Sequence, residues 1–234
     1  MSPLIPVMYK TLKYPHGIKP TIQEIPANFE KSSISPKMDY SLHTEFSHRV
    51  KNKFNNPLLK DLNTIKSSQI NNVPQLWYNE DWVDEFIIFI KRIVENNAPP
   101  KIIEIHPPYN DYCRSLDRFI SLYEPFERQI LSYHPNAQIV IENRSGKVYP
   151  KANSKFLISN SEEIFELSRE IVDRDLNLKI VLDIPQLFSS YGLNPGKFTE
   201  NNIKSIIDSV YEYRDYVYGI HIWGKNEKEK PHYG

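Results

Sequence analysis

Along most of the chain, short runs of β-branched and other apolar residues alternate with stretches whose apolar positions recur every three or four residues. Residues 73–77 form the first such run, and 81–95 follow as a helix with Trp82, Phe86, Phe89, Ile90 and Ile93 on one stripe. The pattern then repeats. Strands are expected at 101–106, 138–142, 179–183 and 217–222, and helices at about 115–132, 161–173 and 199–213. Ser161, with Glu163 and Ile164 behind it, reads as a capped helix start, and Thr199 or Asn201 is placed to cap the last helix. The first seventy residues are less regular: Pro15, Pro20, Pro26 and Pro36 cut them into short pieces. There, 4–9 and 39–43 read as strands, and 52–69 carries only weak helical signals.

The regular part contains five β units in series, each strand an Ile/Val-rich run. Strands of that kind are buried on both faces, as in a parallel sheet covered by helices. An open doubly wound sheet normally carries a Gly-rich phosphate turn after its first strand. With 7 glycines and no G-x-G-x-x-G, the pattern favours a (β/α)8 barrel in a single domain over 1–234. In it, 1–70 is the irregular part and 71–234 the regular βα units.

Each late strand is apolar until its last residues and then turns ionisable: Ile-Glu-Ile-His at 103–106, Ile-Val-Ile-Glu-Asn at 139–143, Ile-Val-Leu-Asp at 180–183, Gly-Ile-His at 219–221. Strand residues alternate sides, so Glu104 and His106 share a direction. In a parallel barrel all C-terminal strand ends lie on one face. One strand-end carboxylate is ordinarily a helix cap, and one buried histidine a hydrogen-bonded core residue. Four in succession are different, because gathering that much charge is costly unless a cation compensates it. His106, Glu142, Asp183 and His221 are therefore candidate ligands of a divalent ion. Imidazole with carboxylate suits Zn²⁺ or Mn²⁺.

Composition narrows the setting. Lys plus Arg and Asp plus Glu are 29 each, so there is no global pull toward nucleic acid. The single cysteine, Cys113, excludes a disulfide framework and a Cys-rich zinc site and fits a reducing compartment. It reads as a packing residue rather than a nucleophile. The most apolar stretch, 86–90, is far short of the roughly 20 residues of a membrane span, and no secretory signal opens the chain. The expectation is a cytoplasmic protein without a membrane partner.

Several motifs then carry a resemblance. His106-Pro107-Pro108 follows one strand, and Ile141-Glu142-Asn143-Arg144-Ser145-Gly146 closes the next. Asp183 is followed by Ile184-Pro185-Gln186-Leu187-Phe188-Ser189-Ser190-Tyr191-Gly192, and His221 and His232-Tyr233-Gly234 come later. Residues from about 100 to 234 so resemble the xylose-isomerase-like barrel superfamily, particularly its endonuclease IV branch. Gln186 stands where that branch has a histidine, and Lys230 where it usually has an aspartate. Residues 73–77 end without a histidine, and Gly234 comes before an eighth strand and the carboxylate expected on it. The resemblance implies a mono- or dinuclear centre around Glu142, Asp183 and His221, with His106 and His232 as further ligands.

Three functions compete. In metal-assisted phosphodiester hydrolysis of the endonuclease IV type, Glu142 and Asp183 would be catalytic as well as metal-holding. Arg144, Gln186 and Lys225 would then contact DNA or a small phosphorylated substrate. In sugar isomerisation or epimerisation, one ion polarises a small polyol while carboxylates move a proton. A barrel kept as a non-catalytic binding module is the third. Trp77, Tyr78, Trp82 and Trp223 would line a pocket in an enzyme, or serve as packing in any of the three.

Overall fold

The computed structural model describes residues 7–9, 17, 19–47, 53–145, 155–192 and 199–222. Its strands are β1 Val7–Tyr9, β2 Ile22–Pro26, β3 Asp39–His43, β4 Gln69–Ile70, β5 Val73–Pro74, β6 Ile102–Ile105, β7 Gln138–Glu142, β8 Leu178–Asp183 and β9 Val217–His221. Its α-helices are α1 Asn63–Ser67, α2 Glu80–Val94, α3 Leu116–Tyr133, α4 Ser161–Asp173, α5 Ile184–Ser190 and α6 Glu200–Val210. Seven strands form one parallel sheet in the order β1-β2-β3-β6-β7-β8-β9. From β3 onward a helix separates each strand of this sheet from the next, as parallel pairing requires of its crossovers. The fold is α/β, and among the described residues the sheet has seven strands where a closed barrel of this type has eight.

The expected strand at 73–77 is corrected. Only Val73–Pro74 is extended there, and it pairs antiparallel with β4 outside the main sheet. Pro74 cannot donate to a ladder, and Trp77 turns the chain at φ 60. The strand that precedes α2 in the main sheet is β3, which occupies the 39–43 expected for it. β2 was not expected; it ends on Pro26, where a missing N–H interrupts little. Of the strand expected at 4–9, Val7–Tyr9 is extended and the rest lies outside the described residues. The remaining expected strands and helices are found within a few residues of their expected ends. α4 is capped by Asn160 rather than by Ser161: Asn160 Oδ1 accepts the Glu163 amide, and Glu163 returns to the Asn160 amide. Thr199 makes the equivalent box with Asn202 at α6.

The chain divides into two compact units, 1–106 with 119–139, and 107–118 with 140–234. In the first unit, the α2 stripe of Trp82, Phe86, Phe89, Ile90 and Ile93 is buried. Trp77 and Phe29 pack on it from the loops, and Phe119, Tyr123 and Phe126 of α3 join the same aromatic core, with ring centroids mostly 5–6 Å apart and edge-to-face. This burial of large apolar side chains is the main stabilising term of that unit. The second unit packs α4, α6 and the 3₁₀ segment Tyr211–Tyr216 together. Buried Tyr213 lies among them, its hydroxyl 3.4 Å from Ser161 Oγ. Strands β8 and β9 belong to this unit, and so does the C-terminal end of β7 from Val140.

No helix among the described residues is long and apolar enough to cross a membrane. Cys113 is buried, and burial pushes its thiol up to about 11. Thiolate is the reactive form. The native protein is therefore expected to leave a disulfide-exchange reagent unconsumed at neutral pH and to react with one equivalent once unfolded. Fast labelling of the native protein would contradict the packing role.

Candidate metal centre

In the second unit three strand ends bring ionisable side chains together. Glu142 is the last residue of β7, Asp183 of β8 and His221 of β9. One ligand atom from each lies within 4.8 Å of the other two. Both carboxylates are buried and His221 is half-buried. Ligands sharing one Zn²⁺ at bonds of about 2.1 Å sit roughly 3–4 Å apart, so small side-chain rotations close the set.

The backbone explains why these residues meet. Between β8 and β9 the register shifts after the Ile180–Val217 pair, so that Val181 faces Gly219 and Asp183 faces His221. Without that extra residue Ile220 would stand opposite Asp183, and the imidazole would change sides of the sheet. Gly219 suits the site of the shift: a Cβ there would come within 3.2 Å of the Val181 side chain. Consistent with the shifted register, Tyr218 and Ile220 are exposed while His221 is partly covered.

Asn143 fixes the two neighbouring strand ends. Its Oδ1 accepts the Asp183 amide at 2.7 Å, and its Nδ2 donates to the Asp183 carbonyl at 3.2 Å. The residue is fully buried, so this reciprocal pair is the natural way to satisfy its amide. Asp183 also caps α5, its Oδ1 accepting the Gln186 amide at 2.8 Å. The other Asp183 oxygen is not needed for the cap. Glu142 Oε2 is 3.4 Å from His221 Nδ1, and Glu142 Oε1 is 3.9 Å from Arg144 Nη1. Two buried carboxylates with one partly covered guanidinium and one imidazole form a donor set of the right chemistry for a divalent cation.

His106 belongs to the first unit and has its own acidic and imidazole neighbours. Its Nδ1 is 3.0 Å from the Glu45 carbonyl, which fixes that nitrogen as the donor. His43 Nδ1 is likewise engaged, 2.8 Å from Glu24 Oε1. The two Nε2 atoms, left as acceptors by these assignments, face each other at 3.2 Å, with the rings stacked at 4.9 Å. Facing lone pairs repel unless a proton or a metal ion lies between them. Glu104 Oε1 is 4.0 Å from His106 Nε2, and buried Glu104 with His43 and His106 makes a cluster able to hold a metal ion. Trp77 Nε1 donates to the His106 carbonyl at 2.7 Å, tying this strand end into the aromatic core.

Of the residues singled out in the sequence, Glu142, Asp183 and His221 come together in one unit, and His106 stands in the other with His43. Arg144 lies beside Glu142, its guanidinium 5.4 Å above the Phe156 ring. Gln186 turns its side-chain oxygen to the Ser145 amide at 2.9 Å. Lys225, Lys230, His232 and Trp223 lie outside the described residues. Trp77 and Trp82 are buried packing residues, while Tyr78 is about half exposed. The sequence reading passes over Glu24 and assigns no role to His43 or Asn143, although both stand at expected strand ends. For His43 a signal existed, because Asp-Tyr-Ser-Leu-His ends on a histidine like the later strands. No protein-family model matches the chain, and no curated protein matches it.

Proposed function

We propose that the protein is a divalent-metal-dependent phosphodiester hydrolase on a xylose-isomerase-like (β/α)8 barrel, with Zn²⁺ or Mn²⁺ held by Glu142, Asp183 and His221. The observation that carries this reading is the convergence of two buried carboxylates and an imidazole at the ends of β7, β8 and β9. Parallel strands with ligands at their C-terminal ends are the usual placement of a barrel active site, which supports the fold assignment.

When bound, the ion supplies a water of lowered pKa and offsets charge on the phosphoryl oxygens. The chain's own residues do the rest. Asp183 is held by Asn143 and by its cap on α5, and its carboxylate would serve as one ligand of the ion. Glu142 would act as the base toward the attacking water, and His221 beside it is partly exposed on the side that substrate would enter. Arg144, within 3.9 Å of Glu142, is the donor for a non-bridging oxygen. That guanidinium favours an anionic substrate, DNA or a small phosphodiester, over the neutral polyol of an isomerase.

Protein purified without chelator is expected to carry about one Zn or Mn per chain and to cleave an aryl phosphodiester. Chelation should stop the reaction and added metal restore it. Turnover of an aldose in place of the diester, with the metal bound, would transfer the assignment to isomerisation. A chain that takes up neither metal after soaking would sink both.

A further inference from the structure

Gln186 sits in the first turn of α5, between Asp183 and the loop that leaves β7. Its two polar ends do different work. The backbone N–H donates to Asp183 Oδ1, a bond that no change of the side chain removes. The side-chain Oε1 accepts the Ser145 N–H at 2.9 Å, 41 residues away in sequence. Arg144 is the residue between two tethered neighbours: Asn143 is clamped to the Asp183 main chain, and Ser145 is held by Gln186. The Arg144 amide itself donates to the Ile158 carbonyl at 3.0 Å. Its side chain is thus launched from a backbone fixed at three successive residues, over the Phe156 ring and toward Glu142. At 3.9 Å the guanidinium is beyond the 2.7–2.9 Å of a charge-assisted hydrogen bond to Glu142, near enough to share that site with a bound anion.

We propose that Gln186 is a positioning residue whose carboxamide oxygen, by holding the Ser145 amide, aims Arg144 at an anionic substrate oxygen bound beside Glu142, Asp183 and His221. This rests on the phosphodiester reading above and assigns Gln186 no contact with substrate. It acts through Arg144. A side chain with no acceptor at this position frees the loop while leaving Asp183 in place, because Asn143 and the backbone N–H of residue 186 still hold it.

The test measures inorganic phosphate binding by calorimetry on metal-loaded protein freed of excess metal, with metal content read on the same samples. Arg144→Gln is expected to weaken phosphate binding roughly ten- to a hundredfold. Gln186→Met should weaken it by about tenfold with metal content unchanged, the worth of one tethering hydrogen bond. The double variant should bind no more weakly than Arg144→Gln alone, because the tether has nothing left to aim. Gln186→Ala replaces the Met variant where that one does not fold. Wild-type phosphate affinity in the Gln186 variant, losses that add in the double variant, or loss of metal from the Gln186 variant would each overturn the assignment. Wild-type protein that holds metal and ignores phosphate would instead overturn the phosphodiester reading beneath it.

Discussion

Zn²⁺ or Mn²⁺ is expected to raise the unfolding temperature of the wild-type protein, and Glu142→Gln or Asp183→Asn to abolish that rise. At a free ion concentration of a hundred times Kd, linkage predicts about 2.7 kcal/mol of added stability. For a chain of this size that is roughly 5–10 °C in unfolding temperature. The metal-free variants carry the more discriminating sign. Glu142 and Asp183 are buried acidic side chains with ligand atoms within 4.8 Å of each other. Replacing one by its neutral amide removes a desolvated charge and its repulsion of the other. For Glu142 this is set against the ion pairs lost with Arg144 and His221. Apo-Asp183→Asn should therefore be as stable as apo-wild type or more so. Asn at 183 keeps the oxygen that caps α5, so no cap is lost with the charge. Phosphodiesterase activity should fall by more than about a hundredfold in both, since even outer-shell changes at metal sites cost 10–100-fold. Apo-Asp183→Asn that melts below apo-wild type, and is still stabilised by metal, would make that carboxylate structural and place the ion elsewhere.

How much of this was legible in the sequence depends on where local pattern decides structure. β7 and α4 were readable to the residue because Ile-Val-Ile runs and a 3.6-residue stripe are strong signals, and tertiary packing agrees with them. The strand-end rule also singles out Glu142, Asp183 and His221, whose ligand atoms lie within 4.8 Å of one another, since side-chain alternation is a property of the strand itself. The failures lie where one residue serves two elements, or where the partner is distant. Asp183 both ends β8 and caps α5; no helix is expected from the sequence at 184–190, although Pro in the first turn is compatible with one. β2 was hidden by Pro26, whose missing N–H costs nothing at a strand terminus. The register shift that turns His221 rather than Ile220 toward Asp183 is invisible in β9 alone, because it exists only in the pairing with β8. His43 closes an expected strand but was given no ligand role, because that strand sits in a region broken by prolines, where no neighbouring helix marked it as part of the sheet.

The 73–77 segment misread as a strand yields the prediction with the largest effect on stability. Val-Pro-Gln-Leu-Trp has strand composition, yet Trp77 adopts φ 60, a conformation costing an L-residue roughly 1–2 kcal/mol. The ring recovers that cost. It is almost fully buried against Trp82, Phe86, Phe119, Tyr123 and Phe126, and its N–H satisfies the His106 carbonyl. Trp77→Ala keeps the backbone strain and loses the ring, so it should cost about 3–5 kcal/mol in urea unfolding of the apo-protein. Trp77→Phe keeps most of the packing and leaves the His106 carbonyl without its donor, for about 1–3 kcal/mol. Trp77→Gly loses as much ring as the alanine variant but tolerates positive φ, and is expected to be the more stable of the two by about 1 kcal/mol. In the usual order alanine stabilises over glycine, so the inversion is specific to a left-handed site. Alanine equal to or better than glycine would mean that the turn at Trp77 is not strained. The tryptophan would then be held there by packing alone, and the His106 strand end would owe its position to the ring rather than to the backbone beneath it.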